Sequence, residues 1–217
     1  MDFGLSCGGV GGVDFVAEAE ELGYNFCWVG DSPMLSSNPW ATLALLAERT
    51  QHMRIGTGVA VPGLRGVPDL ANGIATINRL APGRVFLGIG TGNTGMRTLG
   101  RPPMRLKPFA DYIRLARGLL RGEEVEYSED GEEHHAIRFQ RQGRGTYEIG
   151  HHIPIHVGGF GPRAQMLAGE VGDGLITGIP RGGTVTEALE NVRRGADRVG
   201  RTLDDFYTSA LVNLLVL

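Results

Sequence analysis

The fold class that this sequence predicts is α/β: a TIM-like (β/α)8 barrel of parallel strands, incomplete at its C-terminus. Three observations carry that expectation. Short apolar runs alternate with longer amphipathic stretches from one end of the chain to the other. Most of the runs are too uniformly apolar for a strand with one wet face, so they fit strands buried on both sides. Seven strand patterns also follow one another without a run of consecutive helices, and that repeating order implies parallel strands with right-handed crossovers.

Strands are expected at 3–6, 26–29, 53–59, 85–89, 155–157, 174–177 and 210–217. Between the first two, 13–22 reads as a helix with Phe15, Val16, Ala19 and Leu22 on one face and Glu18, Glu20 and Glu21 outside. The next helix, 39–50, has Leu43, Leu46 and Ala47 in register and Ser36, Ser37 and Asn38 as capping candidates. Helical periodicity recurs at 68–80, 107–120, 163–171 and 184–200. The rhythm breaks after the fourth βα unit. There 122–152 carries Glu123, Glu124, Glu126, Glu129, Asp130, Glu132 and Glu133, and a polar hairpin laid over the barrel fits it better than another βα unit. An open dinucleotide-binding sheet is the competing closure. It is disfavoured because Gly8, Gly9, Gly11 and Gly12 lack the G-x-G-x-x-G spacing.

Residues 1–217 are thus expected to form one barrel domain with 122–152 inserted in it. Eight βα units usually need about 250 residues. This chain has 217 and stops inside an apolar pattern, Leu214 to Leu217, so the expectation is a barrel lacking its last helix–strand–helix portion. An unpaired last strand would also favour self-association, and a homo-oligomer, most simply a dimer, is expected.

Composition narrows the function. Hydrophobic residues make up 41% and charged residues 21% of the chain, enough for a full core. A net charge of -3 gives no reason to expect nucleic acid or an acidic membrane as partner. Cys7 and Cys27 cannot build a disulfide framework, no apolar run is long enough to span a bilayer, and Asp2 stands where a signal peptide is basic. A cytoplasmic protein is the expectation. Glycine is abundant, 35 of 217 residues, roughly twice its usual share. No collagen period accompanies it, so the excess is expected at tight turns and where backbone approaches a ligand.

Barrels of this kind bind ligands at the carboxyl ends of their strands. The residues there are Ser6 and Cys7, Gly30 and Asp31, 58–62, 90–93, 158–163 and 178–181. Gly158, Gly159, Phe160, Gly161, Pro162 and Arg163 form the strongest anion site: a strand ends, glycines turn the chain, and Pro162 opens a helix whose first N–H groups have no partner. Gly90, Thr91, Gly92 and Asn93 repeat the theme with a hydroxyl and an amide. Asp31 is the catalytic candidate, as a residue that positions a polar ring edge or moves a proton, although an Asp before Ser32-Pro33 also suits an ordinary turn. His134, His135, His151 and His152 have no carboxylate or cysteine at metal-site spacing and read as surface residues, so no metal is expected. There is no G-x-S-x-G, H-E-x-x-H or Walker motif.

An ordered set of segments resembles the luciferase-like monooxygenase superfamily, and within it the branch that uses the deazaflavin coenzyme F420, to which methylenetetrahydromethanopterin reductases belong. The set runs from Ala17-Glu18 through Gly23 to Trp28-Val29-Gly30-Asp31, then Ile55-Gly56-Thr57-Gly58-Val59 and the stretch from Gly83-Arg84-Val85 to Gly90-Thr91-Gly92. Leu119 to Glu123, and Gly158 to Arg163 running on to Asp173-Gly174, complete it. The resemblance implies a TIM-like barrel with a flavin or deazaflavin at the strand ends and Asp31 beside the ring. It implies a cis peptide at Gly58–Val59 forming a bulge behind the ring. It also places Thr91, Gly92, Phe160, Gly161 and Arg163 at positions that hold the ring edge, linker and phosphate. The implied reaction is hydride transfer, with the protein supplying orientation and shelter. In the sugar-phosphate dehydrogenases of the branch a His follows the Asp and a Glu stands at the position of Asn93. Here Ser32 and Asn93 occupy those places, which disfavours that substrate. An FMN-dependent monooxygenase and a non-catalytic flavin-binding protein are the alternative readings.

Overall fold

The computed structural model describes residues 1–129, 131–178 and 184–212. The strands in chain order are β1 (Gly4–Cys7), β2 (Phe26–Val29), β3 (Arg54–Thr57), β4 (Val85–Ile89), β5 (Val125–Tyr127), β6 (His135–Ile137), β7 (Ile155–Gly158), β8 (Gly174–Gly178) and β9 (Tyr207–Leu211). The helices are α1 (Val13–Glu21), α2 (Pro39–Arg49), α3 (Val67–Leu80), α4 (Asn93–Thr98), α5 (Leu106–Leu120), α6 (Pro162–Val171) and α7 (Val185–Arg198). Seven strands pair in parallel in the order β1-β2-β3-β4-β7-β8-β9, while β5 and β6 form a separate antiparallel pair within 122–152.

Strand alternation divides the side chains between two environments. Cys27, Val29, Ile55, Leu87, Ile89, Val157 and Leu175 belong to the core shared with Leu43, Leu46, Leu70, Ile74, Phe109 and Ile113 of the helices. At about 25 cal/mol per Å² of apolar surface, this layer is the main favourable contribution to folding. The intervening positions of the strands supply a chain of rings. Phe26 stacks on Trp28 at 5.5 Å and on Tyr207 at 4.8 Å, and His156 stacks on Phe86 at 5.0 Å. The contact of Tyr207 on β9 with Phe26 on β2 shows how far the sheet curls, and the Tyr207 hydroxyl donates to Asp2 at 3.1 Å. The result is a TIM-like half-barrel. Among the described residues β1 and β9 are its edges.

Several expectations need correction. Phe15 and Leu22 are 65% and 80% exposed, so the buried stripe of α1 is Val13, Val16 and Ala19. Glycine is abundant partly for packing. A Cβ on Gly4 would lie 2.1 Å from the Trp28 ring, one on Gly56 2.6 Å from the Phe86 ring, and one on Gly174 2.7 Å from His156. The strand expected at 53–59 ends at Thr57, and that expected at 3–6 runs one residue later. Helix α4 was not expected. The final strand begins at Tyr207, where the Tyr207 N–H donates to the Asp173 carbonyl, because ring and hydroxyl side chains serve the inner face as well as aliphatic ones do. Residues 213–217 of the expected last strand, 179–181 of the expected rim and Asp130 of the acidic run lie outside the described residues. Asn38 is the cap of α2, accepting from the N–H groups of Trp40 and Ala41.

Candidate active site at the carboxyl rim

Three clusters form where the strands end. In the first, Asp31 leaves β2 and is buried at 4% exposure. Its Oδ2 accepts the Val61 N–H at 3.0 Å and a hydrogen bond from Arg65 Nη1, while Oδ1 accepts from Arg65 Nη2 at 3.0 Å. The Arg65 guanidinium lies 5.4 Å from the centre of the Trp40 ring, and the Arg65 carbonyl accepts the Tyr112 hydroxyl at 3.1 Å. Burial acts to lower the pKa of Arg65, but the hydrogen bonds and charge of Asp31, with smaller contributions from Asp69 and Tyr112, outweigh it and the net shift is upward. Gly92 adjoins this cluster in the left-handed region, φ 86°, where a Cβ would lie 2.3 Å from Val61.

The second cluster surrounds Val59. The Gly58–Val59 peptide is cis. Beyond it the chain pairs again with β4: the Ala60 N–H donates to the Gly88 carbonyl at 2.7 Å and the Gly90 N–H to the Ala60 carbonyl at 3.0 Å. The Val59 side chain therefore sits against Gly90 and Gly158, where added Cβ atoms would lie 2.5 Å and 3.2 Å from it. Strands β3, β4 and β7 meet under this one side chain. Thr91 follows, its carbonyl accepting from the Met104 N–H at 2.9 Å, and Asn93 accepts from Arg97 Nε at 2.7 Å.

The third cluster is the loop from β7 into α6. Gly159 is fixed by its N–H on the Ile176 carbonyl at 2.9 Å, and the exposed Phe160 ring lies over Gly178. Gly161 caps α6, with the N–H groups of Ala164 and Gln165 both donating to its carbonyl at 3.0 Å. Pro162 has no N–H to place. Among the described residues the amides of Phe160, Gly161 and Arg163 have no acceptor, and a Cβ on Gly161 would meet nothing within 4 Å. Open space, free amides and the positive end of a ten-residue helix fit a phosphate. The Arg163 side chain is exposed and also borders the outer groove between α5 and α6, beside Leu106, Met166 and Arg198.

Residue types and spacing in the sequence placed Val61 on the rim within 58–62 but did not reveal Arg65, Trp40 or Tyr112 as parts of it. One signal was available: Arg65 is the only charged residue in the apolar stretch 59–68. Cys7 is buried, its thiol donating to the Gly9 carbonyl, and burial next to Cys7 pushes the Cys27 thiol up to about 12. His134, His135, His151 and His152 are exposed, and no group of three or more metal-ligating residues lies together among the described residues.

These clusters describe a TIM-like half-barrel with a glycine floor and an amide cradle on its rim. The chain belongs to the luciferase-like monooxygenase family, whose profile matches residues 11–216. It is 32% identical over 207 residues to a 5,10-methylenetetrahydromethanopterin reductase of Archaeoglobus fulgidus, covering 93% of this chain and 59% of that protein. It is 33% identical over 178 residues to an F420-dependent glucose-6-phosphate dehydrogenase of Mycolicibacterium fortuitum, covering 76% and 50%. Among solved structures, the coenzyme F420 dependent tetrahydromethanopterin reductase from Methanopyrus kandleri shares the fold. Its TM-score is 0.80 at 21% identity, covering 96% of this chain and 65% of that one. The FMN-bound oxygenating constituent of 3,6-diketocamphane monooxygenase from Pseudomonas putida shares it too, with a TM-score of 0.76 at 16% identity, covering 96% and 66%. The chain spans between half and three fifths of the length of the curated relatives it matches.

Proposed function

We propose that this chain is the cofactor-holding part of a coenzyme F420-dependent oxidoreductase that moves a hydride to or from a small organic substrate. The observation that carries the reading is the cradle of free amides at Phe160, Gly161 and Arg163, opening on the same rim as Asp31 and the Val59 floor. Similarity above 30% to two groups of proteins named for F420 or for a methanopterin reductase supports the deazaflavin over FMN.

When bound, the deazaflavin supplies the hydride chemistry. The chain's own residues bind, orient and exclude water. Phe160, Gly161 and Arg163 hold the phosphate through their backbone N–H groups and the helix end, while Gly159, tied to the Ile176 carbonyl, and Pro162 set the turn that presents them. Thr91, Gly92 and Asn93 border the linker and ring edge. Gly58 and Val59 form the floor behind the ring, and Asp31 offers a carboxylate oxygen at its polar edge. Asn93 is already engaged by Arg97 and Ser32 follows Asp31, so the rim lacks the His and Glu expected of a sugar-phosphate dehydrogenase. We read the substrate as a different one.

A fluorescence titration of the purified protein with F420 and, separately, with FMN tests this reading. Saturable binding of F420, at least tenfold tighter than FMN, is expected. Tighter FMN binding would move the protein to the monooxygenase reading, and binding of neither would overturn the cofactor site.

A further inference from the structure

Arg65 is the feature of the rim that sequence alone did not reveal. Arg65 and Asp31 are 34 positions apart, and their side chains are only 13% and 2% exposed. Two guanidinium nitrogens meet two carboxylate oxygens, the planar fork arrangement that fixes direction as well as distance. Around the fork stand Trp40 of α2 on the ring face, Asp69 of α3 at 3.6 Å from Nε, and Tyr112 of α5 on the Arg65 carbonyl. A buried pair of this kind adds little net stability, because desolvation offsets most of the attraction. Its effect is geometric. Asp31 Oδ2 also takes the Val61 N–H, so the same carboxylate ties β2 to the 58–66 loop.

We propose that Arg65 is the positioning residue of the cofactor rim: it holds Asp31 as a fixed hydrogen-bond acceptor and, through Asp31 and the Val61 amide, sets the loop that carries Val59. The inference rests on the F420 reading for its ligand, whereas the clamp itself is present without one. With two donors on Oδ2 and one on Oδ1, Asp31 serves as an acceptor at the rim. Arg65 acts through it and touches no reacting atom.

Two measurements on the same proteins test the proposal. The first is F420 affinity, by fluorescence titration, of the natural chain, Arg65→Lys, Arg65→Gln, Asp31→Asn and the double variant Arg65→Gln/Asp31→Asn. The second is amide hydrogen exchange of the cofactor-free proteins over 58–66, with 185–198 as internal reference. Arg65→Gln is expected to bind at least tenfold more weakly, with Arg65→Lys between it and the natural chain. The double variant is expected to bind no more weakly than Asp31→Asn, since Arg65 works only through Asp31. Exchange over 58–66 should rise at least tenfold in Arg65→Gln and stay unchanged over 185–198. Equal binding by natural chain and Arg65→Gln, or losses that simply add, would overturn the inference while leaving the F420 reading intact. If the natural chain does not bind F420, that reading fails and hydrogen exchange alone decides the clamp; unchanged exchange over 58–66 overturns it. If Arg65→Gln does not fold, Arg65→Lys carries both measurements, because an ammonium cannot reproduce the fork.

Discussion

Glycines at the rim look alike in the sequence, yet they do different work. Gly92 is held at φ 86° with Val61 and Met96 against the place a Cβ would occupy, so its role is to let the turn close. Gly161 is extended, φ -119° and ψ 161°, and a Cβ there would meet no atom within 4 Å. Valine suits that conformation and would cost the fold little. What it blocks is the approach of an anion to the free amides. Gly161→Val is therefore expected to weaken F420 binding at least tenfold, about 1.4 kcal/mol, with an unchanged melting temperature. Equal affinity in a titration would remove the phosphate cradle. At this scale the sequence showed the glycine turns and the helix start, because both are local. It did not show Arg65 against Asp31, since the two lie 34 positions apart and no spacing rule connects the ends of different strands.

Helices α6 and α7 approach each other closely, backbone against backbone. A Cβ on Gly195 would stand 1.8 Å from the Met166 carbonyl oxygen, and one on Gly169 2.0 Å from that of Val192. The two backbones nearly touch, and each glycine makes room for the other helix. Thr184 starts α7 with a capping box: its hydroxyl accepts the Glu187 N–H at 3.2 Å and its own N–H reaches Glu187 Oε2 at 3.1 Å. Gly195→Ala must push the helices apart, against backbone that cannot swing away. A loss of about 1–3 kcal/mol is expected, read as a lower urea midpoint with an unchanged slope. A midpoint equal to that of the natural chain would show that the pair can separate freely. Helical periodicity located both helices within two residues of their observed ends but says nothing of how near they come. The stripe on α1 misled for a related reason. Phe15 on the helix and Leu22 at its C-cap are apolar, but the side facing the sheet is the one with Val13, Val16 and Ala19.

For the whole molecule, the ring chain across the curled sheet joins distant strands. It runs from Trp28 and Phe26 of β2 through Tyr207 of β9 and His156 of β7 to Phe86 of β4. His156 is 4% exposed, and among the described residues its Nδ1 has no hydrogen-bond partner. Burial pushes its pKa down to about 4; Asp173 opposes that shift and Arg54 adds to it. In the unfolded chain the same imidazole titrates at about 6.5. Between those values the unfolded state binds a proton that the folded state refuses, so stability rises with pH across the window and is complete above it. Acidifying from pH 7 to pH 4 should cost about 3 kcal/mol through this residue. Glu20 loses stability in acid as well: three backbone N–H groups and Arg84 outweigh the effect of its burial and hold its pKa down. A comparison that leaves Glu20 in place therefore isolates the imidazole. His156→Phe keeps a ring against Phe86 and Tyr207 and removes the titrating group. Its stability, by urea unfolding at pH 7 and at pH 4.5, is expected to fall much less on acidification than that of the natural chain. Equal losses in the two proteins would mean that His156 protonates as easily folded as unfolded, and that the inner face of the barrel is wetter than its ring stack implies.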